Sequence, residues 1–158
     1  MPKTLRVGVP DAHGPFEWLI LPLPSAPWVE ALEPRLPRVL PPSFRSLVMR
    51  YAFPSFDIGP VHIFANTGHS EVTEEWATRI FADRILAEAL LKNGYTQIGL
   101  ATGALYDPVC FDTNKRSGGG EYPLVRLDHE AALQFGRVRV IQQVAPSFLD
   151  LLGREEQA

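Results

Sequence analysis

Residues 106–112 read Y-D-P-V-C-F-D and contain the only cysteine of the chain. The alternation of side chains in this stretch decides how the fold is interpreted. Side chains alternate between the two faces of a strand, so Val109 and Phe111 share one face while Cys110 lies on the other. We expect Val109 and Phe111 to point toward core helices. The pattern therefore predicts a strand at 108–112, with Cys110 as a small residue that is at least partly buried.

Further strands are predicted on both sides of this one. They are rich in β-branched and aromatic residues between turn residues, and they cover 16–23, 57–65, 95–100 and 122–127. Pro22 should place the first of them at a sheet edge, because proline cannot donate a hydrogen bond to the ladder. The S-G-G-G stretch at 117–120 predicts a flexible loop that joins the strands 108–112 and 122–127 as a hairpin.

The strongest helix signal covers residues 71–92. Ser70 or Thr73 can cap its start, apolar residues repeat at a spacing of four, and Asn93-Gly94 supplies a left-handed stop. We expect this helix to lie on the sheet. Shorter helices are predicted at 28–32, 42–51 and 146–152, and residues 131–142 fit a helix, a strand or both.

Length and composition indicate one domain. The chain has 158 residues, of which 46% are hydrophobic, and no repeat or linker divides it. Most of its 15 prolines lie in the first 60 residues, but Trp18 and Trp28 lie among them. Disordered segments are poor in aromatic residues, so we expect this half to be ordered, with residues 1–27 as an extended segment.

Charge and cysteine content limit the partners and the compartment. The net charge is -3 and no block of Lys and Arg is present, which argues against nucleic-acid binding. The longest apolar run, 18–23, is too short to span a bilayer, and the N-terminus lacks the apolar core of a signal peptide. One cysteine cannot form an intramolecular disulfide, so we expect a cytoplasmic protein with no membrane partner.

The residues near Cys110 do not predict a catalytic thiol. A reactive cysteine needs a cationic neighbour or a helix N-terminus to stabilise its thiolate, whereas Asp107 and Asp112 flank this strand. A pair of Cys110 with His129 is therefore a weak candidate, and we predict no catalytic residues.

A metal site is also weakly supported. The candidate ligands show no dedicated spacing, and they are His62, His69, Asp107, Asp112, Asp128, His129 and Glu130. Adjacent residues on a strand point to opposite faces, so Asp128 and His129 should not share one ion if they lie on a strand. The 117–120 loop lacks the fingerprint of a phosphate-binding loop. We therefore predict no metal and no cofactor.

Several short motifs occur in an order that is similar to one known superfamily. The stretches are L-P-R-V-L-P-P-S-F-R-S-L-V (36–48), Y-T-Q-I-G (95–99), Y-D-P-V-C-F-D (106–112), Y-P-L-V (122–125), D-H-E (128–130) and A-P-S-F-L-D-L-L (145–152). Together they resemble the SUKH superfamily, the fold of the fungal Knr/Smi cell-wall-synthesis regulator and of many bacterial immunity proteins. The resemblance covers roughly residues 28–152, and we expect residues 1–158 to form one such domain.

The resemblance implies a fold and a class of function. The fold is a single α+β domain with a mostly antiparallel β-sheet flanked by helices, and it carries no catalytic residues. Bacterial members bind and neutralise toxins, and fungal members act as scaffolds in cell-wall signalling. We therefore expect a non-enzymatic protein-binding module whose partner is a protein, such as a cognate toxin.

Function on such a fold resides on a variable surface, so loops are the expected interface. The predicted contact residues are Phe53, Phe56, Tyr106, Lys115, Arg116 and Glu121. The alternative is a small hydrolase that uses Cys110 or a metal held near Asp112, Asp128 and His129. The sequence does not indicate the oligomeric state.

Overall fold

The structure is a computed structural model that describes residues 5–11, 14–116 and 118–153. Its strands are β1 Leu5–Asp11, β2 Gly14–Pro22, β3 Tyr51–Ala52, β4 Phe56–Ile58, β5 Val61–Ile63, β6 Tyr95–Ala101, β7 Ala104–Asp112, β8 Leu124–Leu127 and β9 Val140–Ala145. Its α-helices are α1 Pro27–Leu32, α2 Pro42–Arg50, α3 Trp76–Arg79, α4 Arg84–Lys92, α5 His129–Phe135 and α6 Phe148–Gly153. These elements confirm the predicted single α+β domain.

Six strands form one antiparallel sheet in the order β4-β5-β6-β7-β8-β9, which is also their order along the chain. A second sheet has the order β1-β2-β3, where β2 pairs with β3 only through Leu21↔Ala52 and Pro22↔Tyr51. The prediction of an edge strand at 16–23 is therefore wrong, because β1 and β3 lie on opposite sides of β2. Pro22 is tolerated because it is the last residue of β2.

The two faces of β7 contact different apolar clusters, as the alternation at 108–112 predicts. Val109 and Phe111 belong to the main core, whereas Cys110 packs with Leu90 of α4 and Val125 of β8. Aromatic edge-to-face contacts organise the main core around Phe44 of α2, whose ring centroid lies 5.4 Å from that of Phe111. Each such pair adds roughly 0.5–1.5 kcal/mol to the burial of its rings.

The predicted helix over 71–92 is wrong as one element. The chain forms α3 and α4 instead, and Asp83 between them caps α4 by accepting hydrogen bonds from the amides of Ile85 and Leu86. A carboxylate in that position favours a helix start over continuation of the preceding turn. The predicted stop at Asn93-Gly94 is confirmed, with Gly94 at a φ of 86°.

Other boundaries also differ from the sequence-based expectation. The strand predicted at 57–65 is a hairpin of β4 and β5, because Gly59-Pro60 forms a turn within it. The segment 131–142 is both helix and strand, since α5 ends at Phe135 and β9 begins at Val140. Among the described helices, none combines the length and apolarity needed to cross a lipid bilayer.

Asn66 forms a buried hydrogen-bond hub between three segments. Its Oδ1 accepts from the indole Nε1 of Trp28 at 2.9 Å and from that of Trp76 at 2.8 Å. Its Nδ2 donates to the carbonyl oxygens of Val48 and Tyr51, at 2.8 Å each. Asn66 is completely buried, so one side chain connects α1, the end of α2 and α3 inside the core.

The loop between β7 and β8 is attached at both ends. Thr113 donates through its backbone amide and its hydroxyl to the carbonyl of Gly94. At the other end, the buried carboxylate of Glu121 accepts from the amide and the hydroxyl of Ser43 in the first turn of α2. The loop therefore supplies the N-terminal cap of a core helix.

Candidate functional site

A groove of about 230 Å³ lies where α3, α4 and α5 meet the strands β6 and β7. Its lining residues are Arg79, Ala82, Asp83, Leu86, Gln97, Leu100, Tyr106, His129 and Leu133. Apolar walls with a few polar groups are typical of ligand pockets, although this volume is below that of most drug-sized sites. It suits one amino-acid side chain or a ligand of similar size.

Asp107 is a buried carboxylate that does not line the groove but contacts His129, which does. One carboxylate oxygen accepts from Nε and from an η nitrogen of Arg126, at 2.8 and 2.6 Å, and the other lies 2.7 Å from Nδ1 of His129. Burial raises the pKa of Asp107, but the hydrogen bonds from His129 and Arg126 outweigh it, so the pKa is lowered. Asp107 is therefore an ionised acceptor at neutral pH.

His129 is oriented by that carboxylate. An ionised Asp107 can only accept, so Nδ1 of His129 carries the proton of this bond; with Nδ1 protonated, Nε2 of the neutral tautomer is an acceptor. No described residue is hydrogen-bonded to Nε2, and His129 lines the groove. The ring of Tyr106 lies beside it, with centroids 5.6 Å apart and planes tilted by 37°.

Two further polar side chains of the lining have unused capacity. Gln97 is 6% exposed, and its Nε2 donates to the carbonyl of Gly99, which leaves Oε1 without a partner among the described residues. The guanidinium of Arg79 lies 4.8 Å from the ring centre of Phe64 and has no carboxylate partner within the described part of the chain. The groove therefore offers the cation of Arg79 and acceptor atoms on Gln97 and His129, beside the carboxylate of Asp83.

Three of the seven candidate metal ligands do converge at this site, but they are not the trio of Asp112, Asp128 and His129 that the hydrolase alternative names. Asp107, Asp128 and His129 each place one ligand atom within 4.8 Å of the others. Asp107 takes the place predicted for Asp112, which lies at the far end of β7. The strand argument against Asp128 and His129 is wrong, because Asp128 is the N-cap of α5 and His129 its first residue.

The chemistry of this group is nevertheless that of a hydrogen-bond network. Asp107 is neutralised by Arg126, and the Oδ1 of Asp128 accepts from the amides of Glu130 and Ala131. An ion at this position would have to displace the Arg126 guanidinium and the proton on His129 Nδ1. The group therefore carries no argument for a metal.

Cys110 has the properties of a structural thiol. It is completely buried, and burial raises the pKa of its thiol well above the ordinary value, with a further contribution from Asp112. A nucleophilic cysteine requires the opposite shift. The structure places the thiol under α4 and not in the groove.

The predicted contact residues do not form one surface. Phe53 is 2% exposed and Glu121 is 6% exposed, so neither side chain is available to a partner, and Phe56 is half-buried against Phe53. Tyr106 is 76% exposed at the rim of the groove. Lys115 and Arg116 are exposed, but they follow the opposite end of β7. At about 3.3 Å per residue, the part of β7 from Tyr106 to Asp112 separates Tyr106 from Lys115 and Arg116 by roughly 20 Å.

The sequence did not reveal Arg79 and Gln97 as site residues. Arg79 is the last residue of α3 and was assigned to a continuous helix, and Gln97 lies on a buried strand without any motif. The one available signal was Asp128, since an aspartate before an apolar stretch is a typical helix cap. It would have placed His129 at a helix start.

Neither the models of known protein families nor the sequences of curated proteins match this chain.

Proposed function

We propose that this chain is a non-enzymatic protein-binding module, and that its partner binds at the groove. The SUKH-like motifs favour this class, in which the partner is a toxin or a component of cell-wall signalling. A reducing cytoplasm suits the single cysteine of such a module. The observation that carries the proposal is the placement of Tyr106.

Tyr106 is an exposed aromatic residue that the fold holds in place. It lies in β7 at a register shift between Ala104 and Pro108, which pair with Ala101 and Leu100 of β6, and its ring lies against His129. His129 is itself fixed by the bond to Asp107. A tyrosine has few rotatable bonds, so binding orders it at small entropic cost, and tyrosines are enriched in interface hot spots.

Tyr106 is not isolated on this surface. Leu133 of α5 also lines the groove and is 39% exposed. An aromatic and an aliphatic side chain next to a concave site form the usual centre of a protein interface, where a side chain of the partner is inserted.

A binding experiment with matched variants tests the proposal. Purified products of the genes beside this one are titrated by calorimetry against the native protein, Tyr106→Ala and Leu149→Ala. Leu149 of α6 is 58% exposed and does not line the groove, so its variant controls for the loss of exposed apolar surface. Hot-spot truncation costs 2 kcal/mol or more, so we expect Tyr106→Ala to bind about 30-fold more weakly.

The expected result is one partner whose Kd is unchanged by Leu149→Ala and raised by Tyr106→Ala. A partner that binds all three proteins equally contradicts the groove as the interface. If none of these gene products binds at concentrations of about 100 μM, the module proposal itself is contradicted.

The pair of Asp107 and His129 favours one rival function, a hydrolase in which Nε2 of His129 takes a proton from water. The lining residues contain no serine, threonine or cysteine, so such an enzyme would not form an acyl intermediate on those side chains. Hydrolysis of an ester, peptide or phosphoester panel by the native protein, lost in His129→Gln, would favour this rival.

A further inference from the structure

We propose that the groove binds the C-terminal residue of the partner, with an apolar side chain against the leucines and the free carboxylate on Arg79. This inference rests on the proposed function and specifies the chemistry of the partner. It is drawn from the balance of charges, hydrogen-bond groups and apolar surface in the groove.

Arg79 supplies the positive charge of the groove, whose lining also contains the carboxylate of Asp83. Arg126 is neutralised by Asp107, as the distance of 2.6 Å shows. Asp83 is engaged as the cap of α4, where its Oδ1 accepts two backbone amides at the positive end of the helix dipole. Among the described residues, the guanidinium of Arg79 has no ion-pair partner and lies over the ring of Phe64, so an anion entering the groove is its natural partner.

Two acceptors complement the amide of a terminal residue. Oε1 of Gln97 and, in a neutral ring, Nε2 of His129 are acceptors of the lining that have no partner among the described residues. A C-terminal residue presents one carboxylate and one backbone N–H within a single unit. An aspartate or glutamate side chain supplies the anion but no adjacent apolar side chain to fill the groove.

The apolar part of the groove accommodates one side chain. Leu86, Leu100 and Leu133 form its walls, and about 230 Å³ is enough for a residue such as leucine. Tyr106 and Leu133 extend the apolar surface beyond the groove, and both are exposed. This extension favours a polypeptide, whose preceding residues can cover it, over a small free acid.

Synthetic peptides test the inference without a known partner. The probe is Ser-Gly-Ser-Leu labelled with fluorescein at its N-terminus, prepared as the free acid and as the C-terminal amide, and binding is followed by fluorescence anisotropy. A free-acid peptide that ends in serine measures the contribution of the apolar side chain. The proteins are native, Arg79→Gln, Arg79→Lys and Arg38→Gln, where Arg38 is an exposed arginine outside the groove.

We expect the free acid that ends in leucine to bind at least tenfold more tightly than its amide and than the serine peptide, because the amide removes a charge-assisted bond. Arg79→Gln should abolish the difference between acid and amide, Arg79→Lys should retain part of it, and Arg38→Gln should leave it unchanged. The acid–amide comparison on the native protein stays informative if Arg79→Gln does not fold.

Equal affinity for acid and amide overturns the inference, and so does the absence of binding up to about 1 mM. If N-acetyl-leucine competes as strongly as the peptide, the ligand is a small carboxylate and the inference is also overturned. A partner that depends on Tyr106 but binds through an internal segment leaves the protein-binding function intact while refuting the C-terminal mode.

Discussion

Replacing Asn66 by alanine removes all four hydrogen bonds of the buried hub at once. The bonds to Trp76 and to the carbonyl of Val48 are buried, whereas those to Trp28 and to the carbonyl of Tyr51 are partly buried. A buried partner that stays unsatisfied costs about 1–3 kcal/mol, and a partner that water can reach costs less, about 0.5–1 kcal/mol. We therefore expect the free energy of unfolding to fall by about 3–8 kcal/mol, a large part of the roughly 5–15 kcal/mol of a typical domain.

Asn66→Asp distinguishes the two sides of the hub. An aspartate keeps an acceptor for the two indoles but turns an oxygen toward the carbonyls of Val48 and Tyr51. If donation to these carbonyls is as important as the indole bonds, Asn66→Asp at neutral pH is at least as destabilised as Asn66→Ala.

Guanidinium chloride unfolding followed by tryptophan fluorescence measures both variants, and Trp28 and Trp76 report directly on the hub. Asn114→Ala is the control, since Asn114 is exposed and Nδ2 of its side chain donates to the carbonyl of Asn93 at 2.8 Å. Its loss should stay below about 1 kcal/mol. An Asn66→Ala protein that loses no more than this control refutes the reasoning.

Three smaller predictions follow from other residues. The hydroxyl of Thr96 is buried without a partner among the described residues, so Thr96→Val should raise the unfolding free energy by about 1 kcal/mol in the same assay, and a loss would contradict this. Cys110 should resist Ellman's reagent at about pH 8 in the native protein and react fully in denaturant, because burial raises the pKa of its thiol. The pKa of Asp107 is lowered from 3.8, so its ionised form stabilises the fold above pH 3.8 and this contribution disappears as the pH falls through the lowered pKa. When the free energy of unfolding is measured at decreasing pH, it should therefore fall less steeply for Asp107→Asn than for the native protein.

The alternation at Val109, Cys110 and Phe111 was sufficient to predict which residues of β7 share a face, because period-two patterns depend only on strand geometry. The same kind of local rule failed at 71–92. Apolar residues continue at a spacing of four across Asp83, so periodicity alone does not show the break. The competing hydrogen bonds that the amides of Ile85 and Leu86 donate to Asp83 decided the outcome.

The candidate site was less predictable than the fold. Tyr106 and His129 were both noted from the sequence, but their contact depends on a helix starting at Asp128 next to β7. Arg79 and Gln97 are brought to the groove by the packing of α3 and by the sheet, and a single sequence carries no local signal for such long-range placement. Burial of Phe53 and Glu121 is likewise a tertiary property.

The β7–β8 loop is attached to the core at Thr113 and Glu121, and these attachments determine which of its residues can be changed. Among the described residues, Glu121 supplies the cap of α2 and Thr113 holds the opposite end, so the exposed residues described between them carry neither attachment. Each doubling of the length of a closed loop costs only about 0.6 kcal/mol. Evolution or a protein engineer can therefore insert or replace residues around Lys115 and Arg116 at little expense to the core, which makes this loop the natural place to graft a tag or a new binding sequence.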